Sequence, residues 1–178
     1  MENISITSSY IPGAIGRITE LHATYYNKKS GFGLFFETKV ATELSEFLNR
    51  YNESKDGIWL AIDSDKIIGS IIIDGIHAMD EGAHLRWFII SPDFQNNGIG
   101  KQLIKNAIDF CINKAYKKIY LWTFQGLDLA RHIYEINGFK IIEQKEGNQW
   151  GKSVFEQKYQ LNLRLFIIFN DYNVIISF

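Results

Sequence analysis

Several things are scarce in this chain. One cysteine in 178 residues, Cys111, excludes an internal disulfide and a cysteine-rich zinc site. It keeps helical spacing with Leu103, Ile104, Ala107 and Ile108, which reads as a buried core thiol. The two prolines both mark turns: Pro12 precedes a helix and Pro92 stops a strand. No apolar run approaches the roughly 20 residues of a membrane span, so no membrane partner is expected. Charge is balanced, 19 basic against 20 acidic residues for a net −1, which gives no sign of a nucleic-acid partner. Met1-Glu2-Asn3-Ile4-Ser5 has neither the basic region nor the apolar run of a signal peptide, so a cytoplasmic protein is the default expectation.

Repeats, low-complexity stretches and linkers are absent too, and the length suits one domain with a real core. That domain is read over residues 1–163, followed by an extension, 164–178, of unassigned role: an additional strand, a swapped edge or a sticky tail.

What is present is a change of period along the chain. Residues 4–8 alternate as a short strand. Ile15, Ile18, Leu21, His22 and Tyr25 recur at helical spacing. Residues 28–36 read as a loop with exposed aromatics, and Thr38 as the N-cap of a second helix carrying Val40, Leu44, Phe47, Leu48 and Tyr51. Residues 58–62 and 67–76 form a hairpin around Asp63-Ser64-Asp65-Lys66. After a loop at 78–82 come a strand to Ile90, a helix over about 98–114, a strand at 119–123 and a helix over 127–137 closed by Asn137-Gly138. Strands at 139–142 and 154–163 complete the order. Consecutive strands pair antiparallel, whereas strand-helix-strand steps permit parallel pairing. The expectation is α/β (α+β): a mixed, mostly antiparallel sheet of about seven strands with helices on both faces.

The informative stretch is A-H-L-R-W-F-I-I-S-P-D-F-Q-N-N-G-I-G-K, Ala83 to Lys101. A buried strand, a glycine-bearing turn and a helix start leave free N–H groups and a helix dipole aimed at the turn, an anion site. Asn97-Gly98 alone would suit a hairpin, but residues 99–114 have helical periodicity. A Rossmann site fits less well, since hairpin strands precede the turn and no acidic residue plainly ends the next strand.

Three segments, L-R-W-F-I-I-S-P-D-F, Q-N-N-G-I-G-K-Q-L and L-D-L-A-R-H-I-Y-E-I-N-G-F, resemble in order and spacing the GNAT superfamily of acetyl-CoA-dependent N-acetyltransferases. The likeness covers about residues 3–161 and is nearest to acetyltransferase domains sometimes fused behind a winged-helix regulator. It implies the acyl-CoA N-acyltransferase fold, acetyl-CoA as co-substrate, no metal, and a small-molecule or peptide amine as acceptor, with a homodimer left open. Backbone groups of Phe88, Ile89 and Ile90 would pair with the pantetheine arm, and the turn from Gln95 through Asn96, Asn97, Gly98, Ile99, Gly100 and Lys101 would wrap the pyrophosphate. Family members often carry Lys or Arg in this turn, where Asn96 and Asn97 stand here, so binding would lean on amides, the dipole and Lys101.

Tyr134 takes the family position that protonates the departing thiolate, and small Ala130 leaves room for a ligand beside it. Helical angles place Leu129, Ile133 and Ile136 on the core stripe, with Leu127, Ala130 and Tyr134 toward a cleft. His84 occupies the position where several family members have a glutamate base, and an ordinary imidazole pKa near 6.5 suits that task. Glu81 and a water relay are the rivals. Arg86 and Trp87, with Trp150, line the acceptor pocket, although Arg86 is equally readable as a buried ion-pair partner. His22, His77 and His132 read as structural or exposed, and Trp59 and Trp122 as core. Two other classes stay open: a non-catalytic acyl-CoA-binding module on the same fold, and a nucleotide- or phosphate-binding protein using the same turn.

Overall fold

A computed structural model describes residues 4–163; the tail assigned no role above lies outside the described residues. The order is β1 (Ser5–Thr7), α1 (Ala14–Ser30), α2 (Leu34–Asn49), β2 (Gly57–Asp63), β3 (Lys66–Asp74), β4 (Ala83–Ile90), α3 (Ile99–Asn113), β5 (Lys118–Phe124), α4 (Asp128–Ile136), β6 (Lys140–Gly147) and β7 (Val154–Asn162). Seven strands make one sheet in the order β1-β2-β3-β4-β5-β7-β6, and every neighbour pair is antiparallel except β4–β5. The fold class is the expected one.

Two cores lie on opposite faces of this sheet. Leu103, Ile104, Ala107, Ile108 and Cys111 from α3 pack on one face against Ile71, Ile73 and Leu85. Ile18 from α1 and Val40, Leu44 and Phe47 from α2 pack on the other against Ile58, Leu60 and Ile72. Alternate β3 residues thus serve opposite cores, the two-residue period of a strand covered on both sides.

The first helical pair differs from the sequence reading. α1 continues to Ser30 and α2 begins at Leu34, so only Gly31, Phe32 and Gly33 remain as a connection. Gly31 ends α1 in the left-handed region at φ 68°, a glycine C-cap. Thr38 is not a cap. It lies within α2, and its hydroxyl donates to the Phe35 carbonyl at 3.0 Å. The aromatics do not all face solvent either: Phe32 and Phe36 are buried, and Phe35 alone of the three is exposed.

β4 carries the irregularity that shapes the site. Ser70 pairs with Ile89 but Ile72 pairs with Arg86, so β4 holds one residue more than β3 across this step. Trp87 there adopts φ 45°, a bulge conformation rare for a bulky residue, and the Ser70 hydroxyl donates to its carbonyl at 2.7 Å. Gly69 makes the crowding tolerable: a Cβ would lie 2.9 Å from the Ile89 carbonyl oxygen. Ala83 and Leu85 therefore face the α3 core, Trp87 turns into the α1–α2 core, and Phe88 and Ile90 return to the α3 side.

Candidate active site

β4 and β5 pair only at Ala83–Ile119 and His84–Tyr120, then part. Beyond His84 the β4 edge facing β5 has no strand partner among the described residues, although β3 still pairs its other edge at Ile89 and Ile90. Free backbone donors and acceptors thus border a cleft. Two cavities open along it, about 560 Å³ and about 570 Å³ in volume. Tyr26 and Phe88 line both, so the cavities adjoin at those two residues.

The first cavity gathers Phe88, Ile89, Ile90, Gln95, Asn96, Gly98, Gly100, Lys101 and Ala130. Of the residues expected around the cofactor, two are absent from its lining. Ile99 is 3% exposed in the α3 core, and the Asn97 side-chain amide turns back to the Phe94 carbonyl at 3.4 Å. Gln95 works from behind, its amide donating to the Ile90 carbonyl at 3.2 Å and tying the turn to β4.

The two glycines have different jobs. Gly98 stands at φ 77° as the N-cap of α3, with nothing within 4 Å of a Cβ, so its need is conformational. A Cβ at Gly100 would come within 3.1 Å of Ile133 Cδ1 and 3.5 Å of Phe88 Cζ, so there glycine permits close approach. No side chain caps α3, which leaves its first-turn amides directed at the cavity. Those amides, Lys101 and the free β4 edge suit a long ligand with an anionic end and amide groups along its arm, as acetyl-CoA has.

On α4 the structure departs from the helical-angle expectation at Leu129 and Ile136 but not at Ile133, which packs half-buried against the α3 core. Leu129 and Ile136 are exposed, whereas Leu127 and Tyr134 are buried, so Tyr134 sits on the core side of the helix. Its ring lies among Phe88, Phe139 and Tyr159 at centroid distances of 6.2, 5.9 and 5.5 Å. It nonetheless lines the second cavity, because the core it faces is hollowed where β4 and β5 separate. Burial pushes its phenol well above the ordinary value of about 10, so it is protonated at any working pH.

The second cavity also gathers His84, Arg86, Trp87 and Trp150. Arg86 meets both descriptions given for it: it lines the cavity and pairs with Glu43 of α2 and with Asp74 at 3.7 Å. Arg50 reaches the same Asp74 oxygen at 2.5 Å, and the Arg86 guanidinium lies 4.0 Å over the Trp87 ring. Because the bulge puts consecutive Arg86 and Trp87 on one face, they stack on each other while α2 supplies the carboxylate.

His84 stands beside the cavity but is not poised near neutrality. Burial first, then the Arg86 charge, lower its pKa to about 3, and its ring is neutral at pH 7. A ring held neutral in this way offers the cavity a hydrogen-bond acceptor. Glu81 is exposed and outside the lining of either cavity. Among the lining residues that escape the sequence reading are Trp122, His22 and Glu43. Trp122 is half-buried in the second cavity with Lys145 Nζ 4.8 Å over its ring, not in the core. His22 and Glu43 come from α1 and α2, whose inner faces could have been picked out only by knowing which sheet face carries the cleft. His132 is exposed at the rim of the first cavity and His77 is exposed away from both.

Trp150 roofs the second cavity, its ring centroid 5.4 Å from Phe124 and 6.5 Å from Phe32. The connection carrying it is pinned at both ends. Gln149 donates from its backbone and side chain to the buried Glu156 carboxylate at 3.0 and 2.9 Å, and Lys152 donates to the Ser30 carbonyl at 2.8 Å.

A family model for the acetyltransferase (GNAT) family matches residues 17–139, a span that includes the cleft, the turn and α4. The chain belongs to that family. It is 20% identical over 153 residues to human N-acetyltransferase 8B, covering 84% of this chain and 67% of that one. It is 26% identical over 119 residues to the N-acetylaspartate synthetase of Xenopus tropicalis, covering 66% of this chain and 43% of that one. The chain therefore spans from under half to about two thirds of these relatives' length. A Salmonella typhimurium structure solved with its cofactor acetyl-CoA superposes with a TM-score of 0.71 at 14% identity, over 91% of this chain and 95% of that one. By family this is a GNAT chain, and it shares the fold of that structure. No helix among the described residues is long and apolar enough to cross a membrane, and no cluster of three metal-ligating side chains occurs among them.

Proposed function

We propose that the protein transfers an acetyl group from acetyl-CoA to a primary amine by direct attack, with both substrates bound at once. The observation that carries this reading is the pair of adjoining cavities, one beside the anion-binding turn and one beside Tyr134, sharing Tyr26 and Phe88. Acetyl-CoA lies in the first cavity along β4, its phosphates on the Asn96–Lys101 turn and its arm against Phe88 to Ile90. The amine occupies the second. Its nitrogen forms a bond to the thioester carbonyl carbon, a backbone N–H of β4 takes up the oxygen's charge, and the carbon–sulfur bond breaks. The Tyr134 hydroxyl donates to the departing sulfur and passes it a proton, and the proton that the attacking nitrogen loses restores the phenol through water. The amine attacks in its neutral form, the extra proton of an ammonium leaving first through the water of the open cavity, past exposed Glu46. His84 accepts a hydrogen bond beside this path.

The acceptor cavity sets an aromatic wall against a charged face of Lys39, Glu43, Glu46 and Arg86. Phe36, Trp87, Trp122, Phe124 and Trp150 wall it, and its cations Lys39 and Arg86 are already paired with Glu43. An acidic amino acid, the kind of acceptor named by the synthetase relative, would have to break those pairs. Release of free CoA thiol across an amine panel is the test. Turnover of arylalkyl amines above aspartate supports the reading. Protection from thermal unfolding by acetyl-CoA with no thiol release from any amine would instead support an acyl-CoA-binding module.

A further inference from the structure

His22 lies on the inner face of α1, is 6% exposed, and lines the acceptor cavity. Its Nδ1 is 2.8 Å from the carbonyl oxygen of Ile18, one helical turn back. A carbonyl oxygen only accepts, so Nδ1 carries the proton of the neutral ring and Nε2 presents a bare lone pair. Burial lowers the ring's pKa to about 4, which keeps it in that neutral state at pH 7. Among the described residues Nε2 has no partner, and the ring lines the second cavity, so Nε2 is the nitrogen left for a ligand there.

The backbone thus fixes one tautomer and leaves one acceptor facing the acceptor site. Lys39 and Arg86 are engaged by Glu43, and Glu46 is exposed beside them, so further acceptors line the same cavity. We propose that His22 Nε2 is a positioning and specificity group that accepts a hydrogen bond from an N–H of the primary amine and orients its lone pair. This rests on the second cavity being the amine site. A simple core histidine, satisfied by its own helix, would place no acceptor in a substrate cavity.

Nitrogen-15 spectra of the full chain at pH 7 test the first half. The expected result is a protonated Nδ1 and an unprotonated, pyridine-type Nε2 for His22; a protonated Nε2 overturns the proposal. Kinetics test the second half, with His22→Leu removing the acceptor and His22→Gln placing an amide oxygen near the same point. The leucine variant is expected to raise KM for the amine about tenfold, with KM for acetyl-CoA unchanged and glutamine restoring most of the loss. Equal amine KM values in both variants and the wild type overturn it, whatever the melting temperatures. If the leucine variant does not fold, the glutamine variant and the spectra decide. If the wild type binds acetyl-CoA but acetylates no amine, the transfer reading fails separately. The Nε2 resonance then decides alone: movement on adding a primary amine supports the site, and no movement overturns it.

Discussion

His84 lies almost flat on Tyr120, ring centroids 4.4 Å apart and planes inclined by 14°, at the last paired rung between β4 and β5. The stack closes the end of the cleft where the two strands are still joined, and it shields one face of the half-buried imidazole from water. The unfolded chain protonates this ring near pH 6.5, whereas the folded protein does so at about 3, with His22 at about 4. Between those values the unfolded state binds more protons, so both histidines favour folding above about pH 6.5 and lose that contribution as pH falls. Urea midpoints should fall with acid, each histidine contributing up to about 1.4 kcal/mol per pH unit. His84→Gln should make the slope shallower. An unchanged slope would remove the buried neutral imidazole from the account. In activity, His84 should give no inflection between pH 5 and 8.

Tyr134→Phe keeps the ring packed on Phe88, Phe139 and Tyr159 and removes only the hydroxyl. Turnover should drop by roughly 10² while acetyl-CoA affinity is held, the usual scale for a lost general acid. Turnover equal to wild type in a variant that still binds the cofactor would end the assignment.

The glycines of the turn should separate by readout. Gly98→Ala puts a side chain at φ 77° and should lower stability by about 1 kcal/mol, although no neighbour obstructs the methyl. Gly100→Val meets Ile133 and Phe88 instead and should push α4 from β4, weakening acetyl-CoA binding more than the alanine change does. Calorimetry of acetyl-CoA binding gives the comparison, and equal losses would count against the division of labour.

Removing Arg86 should hurt more than removing its carboxylate partner. Asp74 has a side chain 6% exposed and is shared by Arg50 and Arg86, whereas Glu43 is 30% exposed. Arg86→Met leaves a buried carboxylate with one partner fewer and should destabilise by roughly 2–4 kcal/mol. Glu43→Gln should change stability by under about 1 kcal/mol. Denaturant titration of both variants settles the ranking; the reverse order would mean that Arg50 alone satisfies Asp74.

Much of this was legible before any coordinates. The strand order follows from where the period changes, and the Gln95–Lys101 turn announces itself by a strand before it and a helix after it. What was not legible depends on where two strands part. Helical angles relate α4 residues to one another, but they do not say which stripe meets the sheet. Angles alone put Leu129 and Ile136 on the core side and Tyr134 on the cleft side, whereas the cleft is itself cut into the core. The sequence leaves His84 its ordinary pKa, because burial and the Arg86 charge are tertiary facts. Thr38 looks like a cap because Gly33 offers no side chain to mark the true start of α2.

The extra residue at Trp87 behaves as a phase shift along β4. Before it the odd-numbered side chains face α3; after it Phe88 and Ile90, even-numbered, do so. Every residue downstream owes its address to that single count. A change of identity at 87 disturbs the packing around one ring, but a one-residue deletion would send Phe88 and Ile90 to the opposite face and take the shared wall from both cavities together. Along this strand, the protein is more sensitive to length than to spelling.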